Sequence, residues 1–89
     1  MNRQVEKIFQ ALGNKTRLDV VKLVLFEKEV SCQKILEQFP LSQPTMSHHF
    51  RLLLDNGVLS ARKDGVRHYY AVNTKKLNSL GIDLSKLKY

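Results

Sequence analysis

Residues 42–56 place polar and apolar side chains on opposite sides of a predicted helix. Successive helical residues turn by about 100°, so apolar residues that recur at three and four positions share one face. The inward face consists of Met46, Phe50 and Leu53, and the outward face of Ser47, His48, Arg51 and Asp55. Hydrogen-bond donors and acceptors on the exposed face of a helix are the groups that read base edges in a DNA groove.

The residues of this helix suit neither catalysis nor metal binding. Ser47 and His48 are neighbours on the helix and diverge, so they do not form a nucleophile with its general base. His48 and His49 are about 100° apart around the helix axis, which is unfavourable for chelating one metal ion. The acidic residues are scattered, and there is no glycine-rich loop to cradle a phosphate. We therefore predict no enzymatic activity, no catalytic residue, no metal site and no cofactor.

Cys32 is the one cysteine of the chain. It excludes an internal disulfide and, within one chain, a zinc site made of thiolates alone. Two roles stay open for it. Its position at the start of a predicted helix suits a redox-active thiol, whereas a small, half-buried packing residue is the more common role.

The charge of the chain indicates a polyanionic partner. Fifteen Lys and Arg stand against eight Asp and Glu among 89 residues, a net charge of +7 with histidine neutral. Residues 51–89 hold eight of those basic residues and three of the acidic ones. A basic half favours nucleic acid first and an anionic membrane surface second. The length suits one domain, because two independent cores do not fit in so little sequence.

The hydrophobic pattern predicts neither a membrane span nor a secretory signal. The longest apolar run is Leu23–Phe26, far short of the roughly 20 residues that cross a bilayer. No apolar stretch follows the basic start of the chain, as a signal peptide would require. A lone thiol fits a reducing compartment. We expect a cytoplasmic location and no membrane partner.

Three helices are predicted before the one described above. The first covers residues 3–12, and Asn14 then caps the second, because its side chain can accept from a free backbone N–H of the first turn. Ser31 caps a short third helix over 32–38, which Pro40 prevents from continuing. The apolar face of the first helix comprises Val5, Ile8, Phe9 and Leu12.

The second half of the chain predicts a hairpin between two helices. Ser42 caps the helix over 43–56, and Gly57 ends it. The period then changes to about two, which predicts strands over 58–63 and 66–72 joined at Asp64-Gly65, a pair typical of tight turns. A last helix is predicted over 74–88, and its apolar seam comprises Leu77, Leu80, Leu84 and Leu87.

This order predicts a mainly α fold with a small β-hairpin, a winged helix-turn-helix of the order α-α-α-α-β-β-α spanning residues 1–89. The second helix of a helix-turn-helix enters the major groove by its N-terminal end. A basic hairpin directly after it is a wing, whose cations meet phosphates or the minor groove. The basic residues of this wing are Arg62, Lys63 and Arg67.

Four stretches of the sequence resemble the ArsR family of winged-helix repressors. They are residues 11–18 (ALGNKTRL), 41–50 (LSQPTMSHHF), 55–59 (DNGVL) and 62–70 (RKDGVRHYY). The resemblance covers roughly residues 4–75 and is most specific in the second stretch. It implies a homodimer that binds a palindromic operator in double-stranded DNA and represses transcription until an effector releases it.

The resemblance also implies roles for particular residues. Arg17 either contacts a phosphate or lies on a solvated face. The first and last helices, 3–12 and 74–88, pair across the dimer through Val5, Ile8, Phe9 and the four leucines of the last helix. Alternatively, those four leucines cover the domain's own core. The residues implied at the groove are Ser42, Gln43, Thr45, Ser47, His48 and Arg51, and those on the wing are Arg62, Lys63 and Arg67.

The sequence departs from the metal-sensing members of that family. Many of those carry a Cys-x-Cys in the short third helix, where this chain has Ser31-Cys32-Gln33 with a single thiol. Others use Asp and His on a long last helix, where this chain has Asp83 and no histidine. No small-molecule or metal effector is therefore evident.

A different function remains open beside DNA binding. Winged helices also serve as protein-docking modules, because the fold alone does not decide the function. The two hypotheses differ in the exposed face of the fourth helix, where a docking surface would carry more apolar residues than Gln43, Ser47, His48 and Arg51. The leading hypothesis is a dimeric, sequence-specific regulator that binds double-stranded DNA.

Overall fold

Five helices and three short strands follow one another in the part of the chain described by the computed structural model, residues 3–87. The observed order agrees with the predicted mainly α winged helix-turn-helix, with one additional short strand before the third helix. The elements are α1 (Arg3–Leu12), α2 (Lys15–Glu27), β1 (Val30–Ser31), α3 (Cys32–Gln38), α4 (Gln43–Asp55), β2 (Leu59–Asp64), β3 (Arg67–Val72) and α5 (Thr74–Ser79).

Side-chain caps begin α2, α3 and α4, as the sequence predicts. The first turn of a helix leaves backbone N–H groups without a partner, and an N-cap oxygen accepts from one of them. The three bonds run from the N–H of Arg17 to Asn14 at 3.1 Å, of Lys34 to Ser31 at 3.1 Å, and of Thr45 to Ser42 at 3.3 Å. Each of these helices therefore starts at a position that its own local sequence defines.

Glycine in the left-handed region ends α4. Gly57 has a φ of +75°, and its N–H donates to Leu54 O while the N–H of Val58 donates to Leu53 O. This pair of bonds is a Schellman motif, which satisfies the last carbonyls of the helix. Leu53 and Val58 are both fully buried, so the motif also closes an apolar contact.

The core lies between the helices and one face of the sheet. Helix α4 contributes its predicted inward residues, with Met46 and Leu53 fully buried and Phe50 nearly so. The ring of Phe50 stacks on the ring of Tyr70 in β3, with centroids 4.9 Å apart. This contact joins the predicted recognition helix to the middle strand of the sheet.

The sheet is antiparallel and has the order β1-β3-β2. Strand β1 pairs Val30 with Tyr70 and Ser31 with Tyr69. It is two residues long, too short to show the alternation by which a strand is predicted, and only the tertiary pairing with β3 reveals it.

The hairpin turn lies one residue later than the sequence predicts. Asp64 still pairs with Arg67, so the two loop residues are Gly65 and Val66 instead of Asp64 and Gly65. Gly65 has a φ of +63° and Val66 does not have a positive φ, which matches a type II′ turn with glycine at its first position. The side chain of Val66 is 93% exposed at the tip.

The last helix is much shorter than the predicted span 74–88. Helix α5 ends at Ser79, because Gly81 has a φ of +81° and forms a second Schellman motif. The N–H of Ile82 donates to Leu77 O, and the N–H of Gly81 donates to Asn78 O. Lys88, the last residue of the predicted helix, lies outside the described residues.

The early end of α5 changes the predicted dimer surface. Leu77 and Ile8 are fully buried in the subunit's own core, so neither is available to a second chain. Three more of the predicted dimer residues are half-buried and pack against that core: Val5, Leu80 and Leu84. Phe9, by contrast, is 57% exposed, and Leu87 is half-buried.

The cap of α4 provides a test of this local structure. We expect Ser42→Ala to lower the free energy of unfolding by about 1 kcal/mol, because the N–H of Thr45 loses its partner. The matched control is Ser47→Ala, an exposed position inside the same helix, where alanine raises stability by a few tenths of a kcal/mol through helix propensity. Urea unfolding of both variants measures the difference, and equal midpoints would contradict the role of the cap.

Candidate nucleic-acid interface

Helices α3 and α4 and the four residues between them form the helix-turn-helix. Phe39 ends α3 with extended backbone, at φ −118° and ψ 121°, as expected for the residue before a proline. Its side chain packs against the core, and its carbonyl accepts from the N–H of Leu41 at 2.8 Å. The turn is therefore held both by packing and by its own backbone, and it sets the direction in which α4 leaves.

The outward face of α4 is exposed and polar. The predicted groove residues within the helix are all exposed: Gln43, Thr45, Ser47, His48 and Arg51. Ser42 lies just before them, but its hydroxyl already accepts from the N–H of Thr45 and donates to Thr45 Oγ1 at 2.8 Å. Ser42 is thus first a cap, with Thr45 as its partner. The side chains of Gln43, Ser47, His48 and Arg51 present their donors and acceptors to solvent.

The register of the wing decides which of its residues stand beside α4. Residues directly opposite each other in an antiparallel pair share a face, and the faces alternate along each strand. Lys63 pairs with His68 and Ala61 with Tyr70, so Lys63 and His68 share the face of Tyr70, on which α4 packs. Both are exposed. His68 lies on the predicted wing strand, but it becomes a candidate site residue only through this register.

Arg62 lies on the opposite face and already has partners. Its Nη2 donates to Glu29 Oε1 at 2.8 Å and its Nε to Oε2 at 3.1 Å. Its guanidinium also lies 4.6 Å from the centroid of the Tyr69 ring. The hydrogen bonds from Arg62 lower the pKa of Glu29 and raise that of Arg62. Arg62 therefore lies on the opposite face from Lys63, and it shares its own face with Arg67.

Arg17 is likewise turned toward the protein. Its Nε donates to the carbonyl of Ala11 at 2.6 Å, and its Nη1 lies 3.2 Å from Nδ1 of His49. These contacts tie the end of α1 and the start of α2 to the recognition helix. They favour a structural role for Arg17 over both alternatives raised from the sequence, a phosphate contact and a solvated face.

The ring of His49, a residue of α4, is half-buried and lies against Arg17. Burial, then the charge of Arg17, then that of His48 lowers the pKa of His49 below its usual 6.5. The neutral ring places its proton on Nε2 when Nδ1 accepts from Arg17. His49 is thus a packed residue, whereas His48 is exposed.

Cys32 lies half-buried at the first position of α3. Burial, followed by the neighbouring Cys32 thiol with which it hydrogen-bonds, raises the pKa of Tyr70 to about 12. Cys32 therefore contributes to the packing around the sheet. Within residues 3–87, no group of three or more His, Cys, Asp or Glu is arranged to hold a metal ion.

The second helix of this helix-turn-helix exposes a polar face beside a basic hairpin. That arrangement defines a winged helix-turn-helix DNA-binding protein. None of the helices described between residues 3 and 87 has the length and apolar character needed to cross a membrane. This class is consistent with the surplus of positive charge and with the exposed polar face of α4.

Comparison with known proteins narrows the class to a family. A family model for a helix-turn-helix domain matches residues 12–60. An arsenical resistance operon repressor of Staphylococcus aureus is 35% identical over 78 residues, which cover 88% of this chain and 74% of that protein. The transcriptional repressor SdpR of Bacillus subtilis is 32% identical over 73 residues, covering 82% and 80%.

Solved structures give the same result. The homodimeric winged helix-turn-helix DNA-binding domain of a possible ArsR-family regulator from Mycobacterium bovis has a TM-score of 0.75 at 28% identity, covering 88% of this chain and 71% of that one. The chain therefore belongs to the ArsR family of DNA-binding, non-enzymatic transcriptional repressors, as its sequence motifs indicate.

The lowered pKa of His49 predicts a pH dependence of stability. The unfolded chain protonates this ring near pH 6.5, and the folded chain does so only at lower pH. The contribution of His49 to the free energy of unfolding is therefore fully present above pH 6.5. It is lost as the pH falls through the pKa of this ring in the folded chain. Urea unfolding between about pH 7.5 and about pH 5 should show this loss, since protonation breaks the bond to Arg17.

Two variants separate this effect from other titrations. His49→Asn keeps an oxygen that can accept from Arg17 but does not titrate, so the fall in stability over this range should largely disappear. His48→Asn removes a histidine that is exposed and should leave most of the fall in place. The carboxylates whose pKa values are lowered, Glu29 and Asp83, start from 4.5 and 3.8 and act in more acidic solution. Equal pH profiles for wild type and His49→Asn would contradict this assignment.

Proposed function

We propose that this repressor is a homodimer that binds a palindromic operator through α4 and the wing of each subunit. The observation that carries the proposal is the exposed polar face of α4, placed beside Lys63 and His68 on the same side of the sheet. Because α4 packs by its apolar face, its polar face is free to enter a major groove.

The residues of α4 fit base recognition. Arg51 has the guanidinium that pairs with guanine, and Gln43 has the amide that pairs with adenine. Gln43 lies at the first position of the capped helix, the end that enters the groove in this class. Thr45, Ser47 and His48 add shorter donors and acceptors on the same face.

The wing supplies the sequence-independent part of the binding. Lys63 and Arg67 are exposed near the turn, and each is a cation that can neutralise a phosphate. They lie on opposite faces of the hairpin, so the tip as a whole presents charge to the backbone. We leave Arg62 and Arg17 out of the set of DNA contacts, because both bind groups of the protein itself.

Dimerisation is supported by the relative from Mycobacterium bovis, whose winged helix-turn-helix domain is described as homodimeric. In this chain Phe9 on α1 is 57% exposed and Phe26 at the end of α2 is 68% exposed. Phe26 borders a groove that Leu84 and Leu87 also line. Large apolar side chains left in water on a domain this small favour burial against a second copy.

The effector is not part of the proposal. The Staphylococcus aureus relative is named for arsenical resistance. In this chain, the segment at which the family resemblance places a Cys-x-Cys has one cysteine, Cys32. We therefore propose DNA and a second copy of the chain as the partners.

Salt dependence and site selection test the DNA contacts. Affinity for a duplex selected from a random library should fall steeply with salt, because each phosphate contact releases counterions. Lys63→Ala should weaken binding to all duplexes alike and reduce the slope of log affinity against log salt by about 0.9. Arg51→Ala should instead reduce discrimination between bases, by about 1–3 kcal/mol at one position.

Lys86→Ala is the control for charge, because Lys86 is exposed in the segment after α5 and lies outside the proposed contacts. It should leave the salt slope unchanged. Fluorescence anisotropy with labelled duplexes measures both quantities. Absence of any binding by the wild type, even in dilute buffer, would refute the proposed function.

The oligomeric state is tested on the exposed aromatic of α1. Phe9→Asp should convert a dimer into a monomer in sedimentation velocity, because a charge at an apolar interface is left unpaired. Val66→Asp, which changes a side chain 93% exposed at the wing tip, should remain a dimer. A wild type that sediments as a monomer at all concentrations would contradict the dimer, and a dimeric Phe9→Asp would contradict the placement of Phe9 in its interface.

A further inference from the structure

We propose that Glu29 is a positioning residue for the wing, acting through Arg62. The inference rests on the proposed function, in which the wing meets the DNA backbone. Glu29 lies in the connection between α2 and β1 and is 33 residues from Arg62 in sequence. Nothing in its local sequence connects it with DNA, and only the tertiary structure joins it to the hairpin.

The contact spans the whole sheet. Arg62 belongs to β2 and pairs across the ladder with Tyr69 of β3. Its guanidinium lies over the Tyr69 ring at 4.6 Å and then reaches Glu29, the residue just before β1, with two hydrogen bonds. Since the strand order is β1-β3-β2, these three side chains form a strap from one edge strand to the other.

The strap lies where the sheet changes from three strands to two. Strand β1 pairs with Tyr70 and Tyr69 and with no residue nearer the turn. Beyond Tyr69, residues 63–68 form a two-stranded ribbon that carries Lys63 and Arg67. An isolated two-stranded hairpin is only marginally stable in water. A side-chain link at the base of the ribbon therefore limits the angle at which it projects.

The link also connects the ribbon to the helix-turn-helix. Strand β1 runs directly into α3, and Ser31 is both its last residue and the N-cap of α3. Helix α3 precedes α4 in the motif, so an orientation fixed relative to β1 is fixed relative to the groove-reading helix. Arg62 thus serves DNA binding without touching DNA.

The strap predicts a small loss of affinity with an unchanged salt slope. The expected loss of affinity is small, because an exposed ion pair such as Glu29–Arg62 contributes little free energy. Glu29→Ala and Arg62→Ala should each weaken binding by about twofold to fivefold. Since neither residue contacts a phosphate, the slope of log affinity against log salt should equal that of the wild type. The double variant should bind no more weakly than Arg62→Ala, because both changes remove one link.

Glu27→Ala is the matched control. Glu27 forms an exposed ion pair with Lys34 at 2.7 Å, two residues before Glu29, and its removal changes the net charge equally. It should not weaken binding. Tighter binding by Glu29→Ala with a steeper slope would overturn the proposal, since Arg62 would then be a phosphate ligand that Glu29 holds back. A flatter slope for Arg62→Ala would overturn it in the same way.

Amide hydrogen exchange of the DNA-free protein tests the strap independently of DNA. Amides of residues 63–68 should exchange faster in Glu29→Ala and Arg62→Ala than in the wild type, and at an unchanged rate in Glu27→Ala. Unchanged exchange in all variants would refute the strap even if DNA binding is confirmed. A wild type that binds no duplex would refute the proposed function and leave the exchange result as the test of the strap.

Discussion

The packing of α4 on the sheet through Phe50 and Tyr70 is the contact on which the rest of the surface depends. Those rings stack with centroids 4.9 Å apart, and both are nearly buried. Since the apolar face of α4 is used in this way, its polar face is left in water. The same contact identifies the face of the sheet that stands beside α4, and with it the position of Lys63 and His68.

Two arginines stabilise that arrangement from outside the proposed DNA-binding surface. Arg17 ties the carbonyl of Ala11 and the ring of His49 together, and Arg62 joins Glu29 to the wing. A guanidinium has five donors in a rigid fork, which suits it to linking several elements at once. A count of basic residues therefore overstates how many are available to a polyanion, because Arg17 and Arg62 are occupied within the protein.

Local signals in the sequence predict most of the fold correctly, and the errors have separate physical causes. The three N-caps depend on a residue and the first turn after it, so the sequence identifies them without tertiary information. The helix over 74–88 is wrong because periodic leucines suggested continuation, while Gly81 adopts the left-handed conformation and ends α5. The additional strand β1 exists only by pairing with β3.

The sequence by itself determined the family, the class of fold and the polar face of α4, because motifs, caps and helical period are properties of neighbouring residues. Only the tertiary structure decided which cations remain free and which apolar residues are already buried. Arg62 meets Glu29 across 33 residues, and Ile8 and Leu77 enter the subunit's own core. Such contacts depend on how distant segments pack, which no local pattern records.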